Sequence, residues 1–202
     1  MNPGWPAHLY AGRVGVRPLR IGDATRWEKL HRANRDWLTP WEATLPPGSP
    51  GGFSSPRHMV RSLRRRARLG QSMPFIVMWD GQMVGQLTVS NIVGGSAQWA
   101  SIGYWIARSH AGRGIMPVAV ALVCDHLFAR AGMHRIEIAI RPENTASLRI
   151  VEKLGFSCIG LAPGYLHIDG DWRDHWVYQI LAEDCREGIV TRVDAPDQPA
   201  EP

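Results

Sequence analysis

Lysine is nearly missing from this chain: Lys29 and Lys153 are the only two, so almost all of the positive charge is arginine. A net charge of +5 would suit a nucleic-acid partner, and an arginine-biased composition explains it as well. Cysteine is scarce too. Cys124, Cys158 and Cys185 are odd in number and far apart, which argues against a disulfide framework or zinc spacing and fits reduced thiols in a cytoplasm. The eight histidines form no H-E-x-x-H pattern, so no metal is expected. No run of 18 apolar residues is present to span a membrane. Pro3, Gly4, Pro6 and Gly12 leave the N-terminal stretch without an apolar segment of the secretory kind. No Gly-Lys-Ser/Thr follows a glycine loop, and no third glycine completes a G-x-G-x-x-G, which excludes a P-loop and a dinucleotide fingerprint.

What is present begins with Arg108-Ser109-His110-Ala111-Gly112-Arg113-Gly114-Ile115-Met116. A strand-like run, Ile102 to Ile106, precedes it, and a helix-like run to about Arg130 follows. Glycines at a strand-to-helix turn let the backbone approach a ligand closely. The first N–H groups of a helix lack internal partners, and the helix dipole favours negative charge there. The combination is a candidate pyrophosphate cradle, although Gly-x-Gly before a helix is also an ordinary tight turn.

The chain has 202 residues, 45% apolar and 20% charged, enough for one domain with a core and a tail. Val14 to Leu19 reads as a first strand, and Asp23 as the N-cap of a helix to about Asn34. Residues 39–56, rich in proline and glycine, read as a long loop, functional or disordered. A basic helix over about 56–69 carries Arg61, Arg64, Arg65, Arg66 and Arg68. It reads first as a solvated face and second as a contact with RNA or the ribosome. Three strands follow: 73–79, 82–89 after an Asp80-Gly81 turn, and 97–106. After the glycine loop and its helix, ended by Gly132, come a strand over 136–140 and a short helix from Asn144 to Leu154. A final hairpin turns at Gly170-Asp171. This order predicts an α/β (α+β) domain over 14–185 with a mixed sheet covered on both faces. It leaves 1–13 as an extension and 186–202 as a mobile tail.

Two segments together, Arg108 to Met116 and Arg141-Pro142-Glu143-Asn144-Thr145-Ala146-Ser147 through Leu154-Gly155-Phe156, resemble the GCN5-related N-acetyltransferase (GNAT) family over about residues 14–182. Asp36-Trp37-Leu38-Thr39-Pro40-Trp41-Glu42 and Tyr165 to His175 are similar to the RimJ/RimL branch, the ribosomal-protein alanine N-acetyltransferases. The resemblance implies the GNAT fold, with a mostly antiparallel sheet, acetyl-CoA as donor and no metal. It places the pyrophosphate against Arg108, Ala111, Gly112, Arg113, Gly114, Ile115 and Met116. Ala111 stands where the family has Gln or Arg. The resemblance also implies that the strands before the glycine loop and before Asn144 splay, with pantetheine against Tyr104, Trp105 and Ile106 and hydrogen-bonded to Asn144. Ser147 would reach the sulfur, because Val151 stands where many relatives have an acidic tyrosine.

Acetyl transfer needs a neutral amine, an oxyanion stabiliser and a proton for the leaving thiolate. Ser147, Glu137 and Asp174 are the candidates for proton handling, with a local cap or a surface carboxylate as the plain alternative for each. Trp37, Trp41, Glu42, Tyr165, Asp171, Trp172 and His175 are candidates for an acceptor pocket, since an aromatic wall with carboxylates suits a cationic amine. The reading is transfer to a protein N-terminal amine, an alanine of a ribosomal protein, by a cytoplasmic monomer or homodimer. The alternatives are an acetyltransferase of small amines or antibiotics, and a ribosome- or RNA-binding module that has lost catalysis.

Overall fold

A computed structural model describes residues 3–193. Eight strands form one sheet in the order β1-β2-β3-β4-β5-β6-β8-β7. They are β1 Leu9–Ala11, β2 Val14–Pro18, β3 Met73–Trp79, β4 Gln82–Val93, β5 Trp99–Ile106, β6 Arg135–Ile140, β7 Ser157–Ile168 and β8 Asp171–Leu181. The helices are α1 Ala24–Ala33, α2 Arg35–Leu38, α3 Pro56–Arg68, α4 Ile115–Ala131 and α5 Thr145–Leu154. All sheet neighbours are antiparallel except β5 and β6.

Two cores cover the two faces. Strand alternation sends Ala100, Ile102 and Tyr104 of β5 and Ile136, Ile138 and Ile140 of β6 to the face carrying α4 and α5. There α4 is apolar nearly all round and buries ten of its residues, which makes it the central helix of the larger core. On the opposite face Val60 of α3 and Ala24 of α1 pack with Leu19, Ile76 and Met83. The arginines of α3 lie on its outer side and form no ion pair among the described residues.

Four boundaries differ from the sequence reading, the first being β4, which runs on to Val93. Residues 9–11 are not merely an extension, because Leu9–Ala11 pairs with Val14–Val16 across a tight turn. The last hairpin is longer, with β7 starting at Ser157 and bulging between Ala162 and Leu166 around Pro163-Gly164. Order also continues past 185: Ile189–Arg192 forms a turn of 3-10 helix with Ile189 fully buried, and the Arg192 guanidinium donates to the Leu154 carbonyl at 2.8 Å. Of the sequence-defined tail, 194–202 lies outside the described residues.

Candidate active site

The parallel pairing of β5 with β6 lasts three residue pairs, from Trp99–Arg135 to Ser101–Glu137. Beyond it Ile102–Ile106 keeps β4 on its other edge and Ile138–Ile140 keeps β8, and the two strands part. The sheet opens into a cleft whose lips lead to the glycine loop and to the start of α5.

The glycine loop is built for an anion. Gly112 and Gly114 have φ of 75° and 74°, a region that side chains rarely enter. Gly114 is the N-cap of α4, so the N–H groups of Ile115 and Met116 open the helix without internal partners. A Cβ built at Gly112 would meet nothing within 4 Å, so the space above the loop is open. Arg108, His110 and Arg113 gather round it, and burial, together with Arg113, holds His110 below its ordinary value. Ala111 removes only a side-chain contact. The loop is tied down from α1 and α2: Arg108 N–H donates to Asn34 Oδ1 at 2.8 Å, and Trp37 Nε1 donates to the Ile106 carbonyl at 3.0 Å. Trp37 therefore anchors the end of β5, and the Arg108 guanidinium lies 5.9 Å from its ring.

On the other lip, Asn144 caps α5 by accepting the Ser147 N–H at 3.1 Å. That uses Oδ1 and leaves the amide nitrogen of Asn144 without a partner among the described residues. Ser147 sits beside the buried hydroxyl of Tyr104, which reaches in from β5. Burial pushes the Tyr104 phenol up to about 12, and Ser147 opposes that rise.

Across the sheet lies a cavity of about 280 Å³ bounded by Trp41, Glu42, Gln86, Gly103, Tyr104 and Trp105. His31 Nε2 is paired with Glu42 Oε1 at its edge. The imidazole stacks on Trp27, with ring centres 4.6 Å apart, and meets Trp105 edge-on. Trp27 Nε1 donates to Gln86 Oε1 at 2.5 Å, fixing the aromatic stack against β4. The Trp41 loop is fastened on two sides. Arg141 Nη1 donates to the Pro40 carbonyl at 2.6 Å, with its guanidinium 5.4 Å from the Trp41 ring. Thr44 N–H donates to the His167 carbonyl, and Ala43 bridges Ile168.

The candidates from sequence fall into separate places. Glu137 pairs with Arg135 and lines a different cavity of about 580 Å³, which shares no lining residue with the one beside Glu42. Asp174 Oδ1 accepts the Gly164 N–H at 2.8 Å and holds the β7 bulge. Asp171 pairs with Arg173 and with its own turn. Tyr165 and Trp172 are exposed, with Trp172 edge-on to His167, and none of these five lines the smaller cavity. His175 is buried beside Tyr165. Burial holds it below the ordinary imidazole value, although a hydrogen bond to the Arg173 carbonyl acts the other way. His31, Asn34 and Arg141 were missed as site builders. The sequence signal for His31 was its i, i+4 spacing from Trp27 on one helix.

A strand order of this kind, a split between two parallel strands, and a glycine loop opening the central helix define an acyl-CoA-dependent transferase. The family model of the acetyltransferase (GNAT) domain matches residues 13–157, and the chain belongs to that family as an N-acetyltransferase. It is similar to the RimJ of Mycobacterium smegmatis solved with CoA-disulfide, with a TM-score of 0.87 and 39% identity, covering 95% of both chains. It is 33% identical to "Probable N-acetyltransferase YjcK" of Bacillus subtilis, covering 85% of this chain and 95% of that one. It is 29% identical to the uS5-alanine N-acetyltransferase of Escherichia coli, covering 89% and 93%. The cleft, the open cradle and the unpartnered Asn144 amide fit CoA, and the family supports its use. Among the described residues no helix is long and apolar enough to cross a membrane, and no group of three or more metal-ligating side chains gathers.

Proposed function

We propose that the protein acetylates the N-terminal α-amine of a protein, with alanine first and a ribosomal protein as the acceptor. One observation carries the reading. The cavity beside Tyr104 and Trp105 is small, walled by tryptophan, and has one acidic lining residue, Glu42. A single carboxylate against aromatic faces matches a single ammonium, whereas a polyamine or aminoglycoside brings several positive charges. A volume of about 280 Å³ suits a short side chain and the start of a peptide. The similarity to the uS5-alanine enzyme and to RimJ supports the same acceptor class.

Bound acetyl-CoA supplies an activated acyl group with a thiolate leaving group. The backbone N–H groups of Gly114, Ile115 and Met116 would hold the pyrophosphate, the lips of the split the pantetheine, and Asn144 its amide. Glu42 orients the ammonium and takes its proton, directly or through water, and His31 shares the charge. Trp27 and Trp105 fix the imidazole for that role. Ser147 would face the sulfur.

The test is an acetyl-acceptor screen read by CoA release. Peptides beginning with alanine are expected to outrun peptides beginning with bulky residues, spermidine and aminoglycosides. Release with the polyamine or aminoglycoside alone would overturn the peptide reading.

A further inference from the structure

The Tyr104 hydroxyl stands out. It is buried, and among the described residues it has no hydrogen bond of normal geometry. Leaving a hydroxyl unpaired inside a protein is unfavourable, and a phenylalanine would fill the same space without that cost. The ring comes from β5, one lip of the split, and packs on the core under α4 and α5. Two neighbours act on its ionisation: Ser147, through hydrogen bonding, at the start of α5 beyond the other lip, and Cys124 of α4. Ser147 spends its backbone N–H on Asn144, and among the described residues no hydrogen bond of normal geometry engages its hydroxyl. Two hydroxyls from opposite lips, each without a bond of normal geometry, face each other where the sheet opens.

We infer that Tyr104 is a positioning residue for the leaving-group side of the reaction, donating its O–H to Ser147 Oγ so that the serine's own hydrogen points at the CoA sulfur. The chain of donors then has one direction. The phenol has no competing partner to accept from, and its oxygen is too buried to ionise near neutral pH, since burial carries it to about 12. It therefore stays a donor and never takes the serine's proton. As the carbon–sulfur bond breaks and the carbon–nitrogen bond forms, the negative charge on sulfur is met by the Ser147 O–H. Both hydroxyl protons stay on their oxygens, and the thiolate takes its proton from solvent. Val151, one turn beyond Ser147, is apolar and fully buried, so α5 offers no second hydroxyl on that face.

This rests on the acetyl-transfer reading and not on the identity of the acceptor. The experiment compares Tyr104→Phe, Ser147→Ala and the double variant by thermal melting, by steady-state CoA release with the best acceptor, and by ultraviolet titration of the thiol of bound CoA. Tyr104→Phe is expected to melt at or above the parent temperature. It is expected to lower kcat about tenfold, the worth of one hydrogen bond, with KM for acetyl-CoA unchanged. The thiol of bound CoA is expected to titrate at higher pH in each single variant. The double variant is expected to be no slower than Ser147→Ala, because the tyrosine acts through the serine. A parent-like kcat and thiol titration in Tyr104→Phe, or losses that multiply in the double variant, would overturn the inference. If no acceptor is turned over, the transfer reading fails by itself, and the thiol titration still decides the role of Tyr104.

Discussion

Gly114 holds its backbone at φ 74°, where the chain leaves a loop and starts α4. A β-branched residue there faces its most unfavourable backbone region, at a cost of about 1–2 kcal/mol. The first turn of α4 would shift and carry the anion-binding N–H groups with it. Gly114→Val is therefore expected to weaken CoA binding at least about tenfold, measured by calorimetric titration, with melting followed alongside. The glycine turn at this residue and the helix beginning at Asn144 were legible in the sequence as local chemistry, whereas the role of Asn144 toward the donor came only from the resemblance to the family. His31 was not legible. Its partner Glu42 lies on a separate loop, and nothing in the spacing of the two announces that their side chains meet.

At the scale of elements, the cavity proposed for the acceptor depends on a loop that sequence composition read as irregular. The segment around Trp41 is held by the guanidinium of Arg141 at the end of β6 and by main-chain bonds to the β7–β8 hairpin. Arg141→Ala removes the bond to Pro40 and the stack on Trp41 together. The expected result is a several-fold rise in acceptor KM with little change in KM for acetyl-CoA, because the glycine loop is anchored separately through Asn34 and Trp37. Equal changes in both constants would show that the wall and the cradle are not independent. Helices and the strands of the meander were readable from periodicity and from turns such as Asp80-Gly81. The start of β7 was not, since its large apolar side chains, Ile159 and Leu161, stand on the exposed face while Gly160 and Ala162 take the more covered one, and the run ends in Pro163-Gly164.

Across the whole molecule, residues 186–193 are tied to the core. Ile189 and Val193 are buried with the α4–α5 layer, and Asp125 accepts the N–H groups of Ile189 and Val190 at 2.6 and 3.0 Å. A short apolar pair in a polar stretch gives no periodic signal, so only tertiary packing reveals it. Ile189→Ala is expected to cost about 2–5 kcal/mol. For a chain of this size that lowers the melting temperature by roughly 5–15 °C in a thermal scan, with CoA affinity retained. An unchanged melt would return the segment to the periphery.

The short ladder between β5 and β6 has a mechanical side. A five-stranded half and a three-stranded half meet along three residue pairs, and past that seam each carries a run of backbone with no neighbouring strand. A donor lying in the split beyond that seam would act as a removable strut, completing both edges while it is there. If each turnover takes the strut out and puts another in, the stiffness of the molecule across that line is expected to rise and fall with the catalytic cycle, and amide hydrogen exchange along Ile102–Ile106 and Ile138–Ile140 with and without CoA would read it.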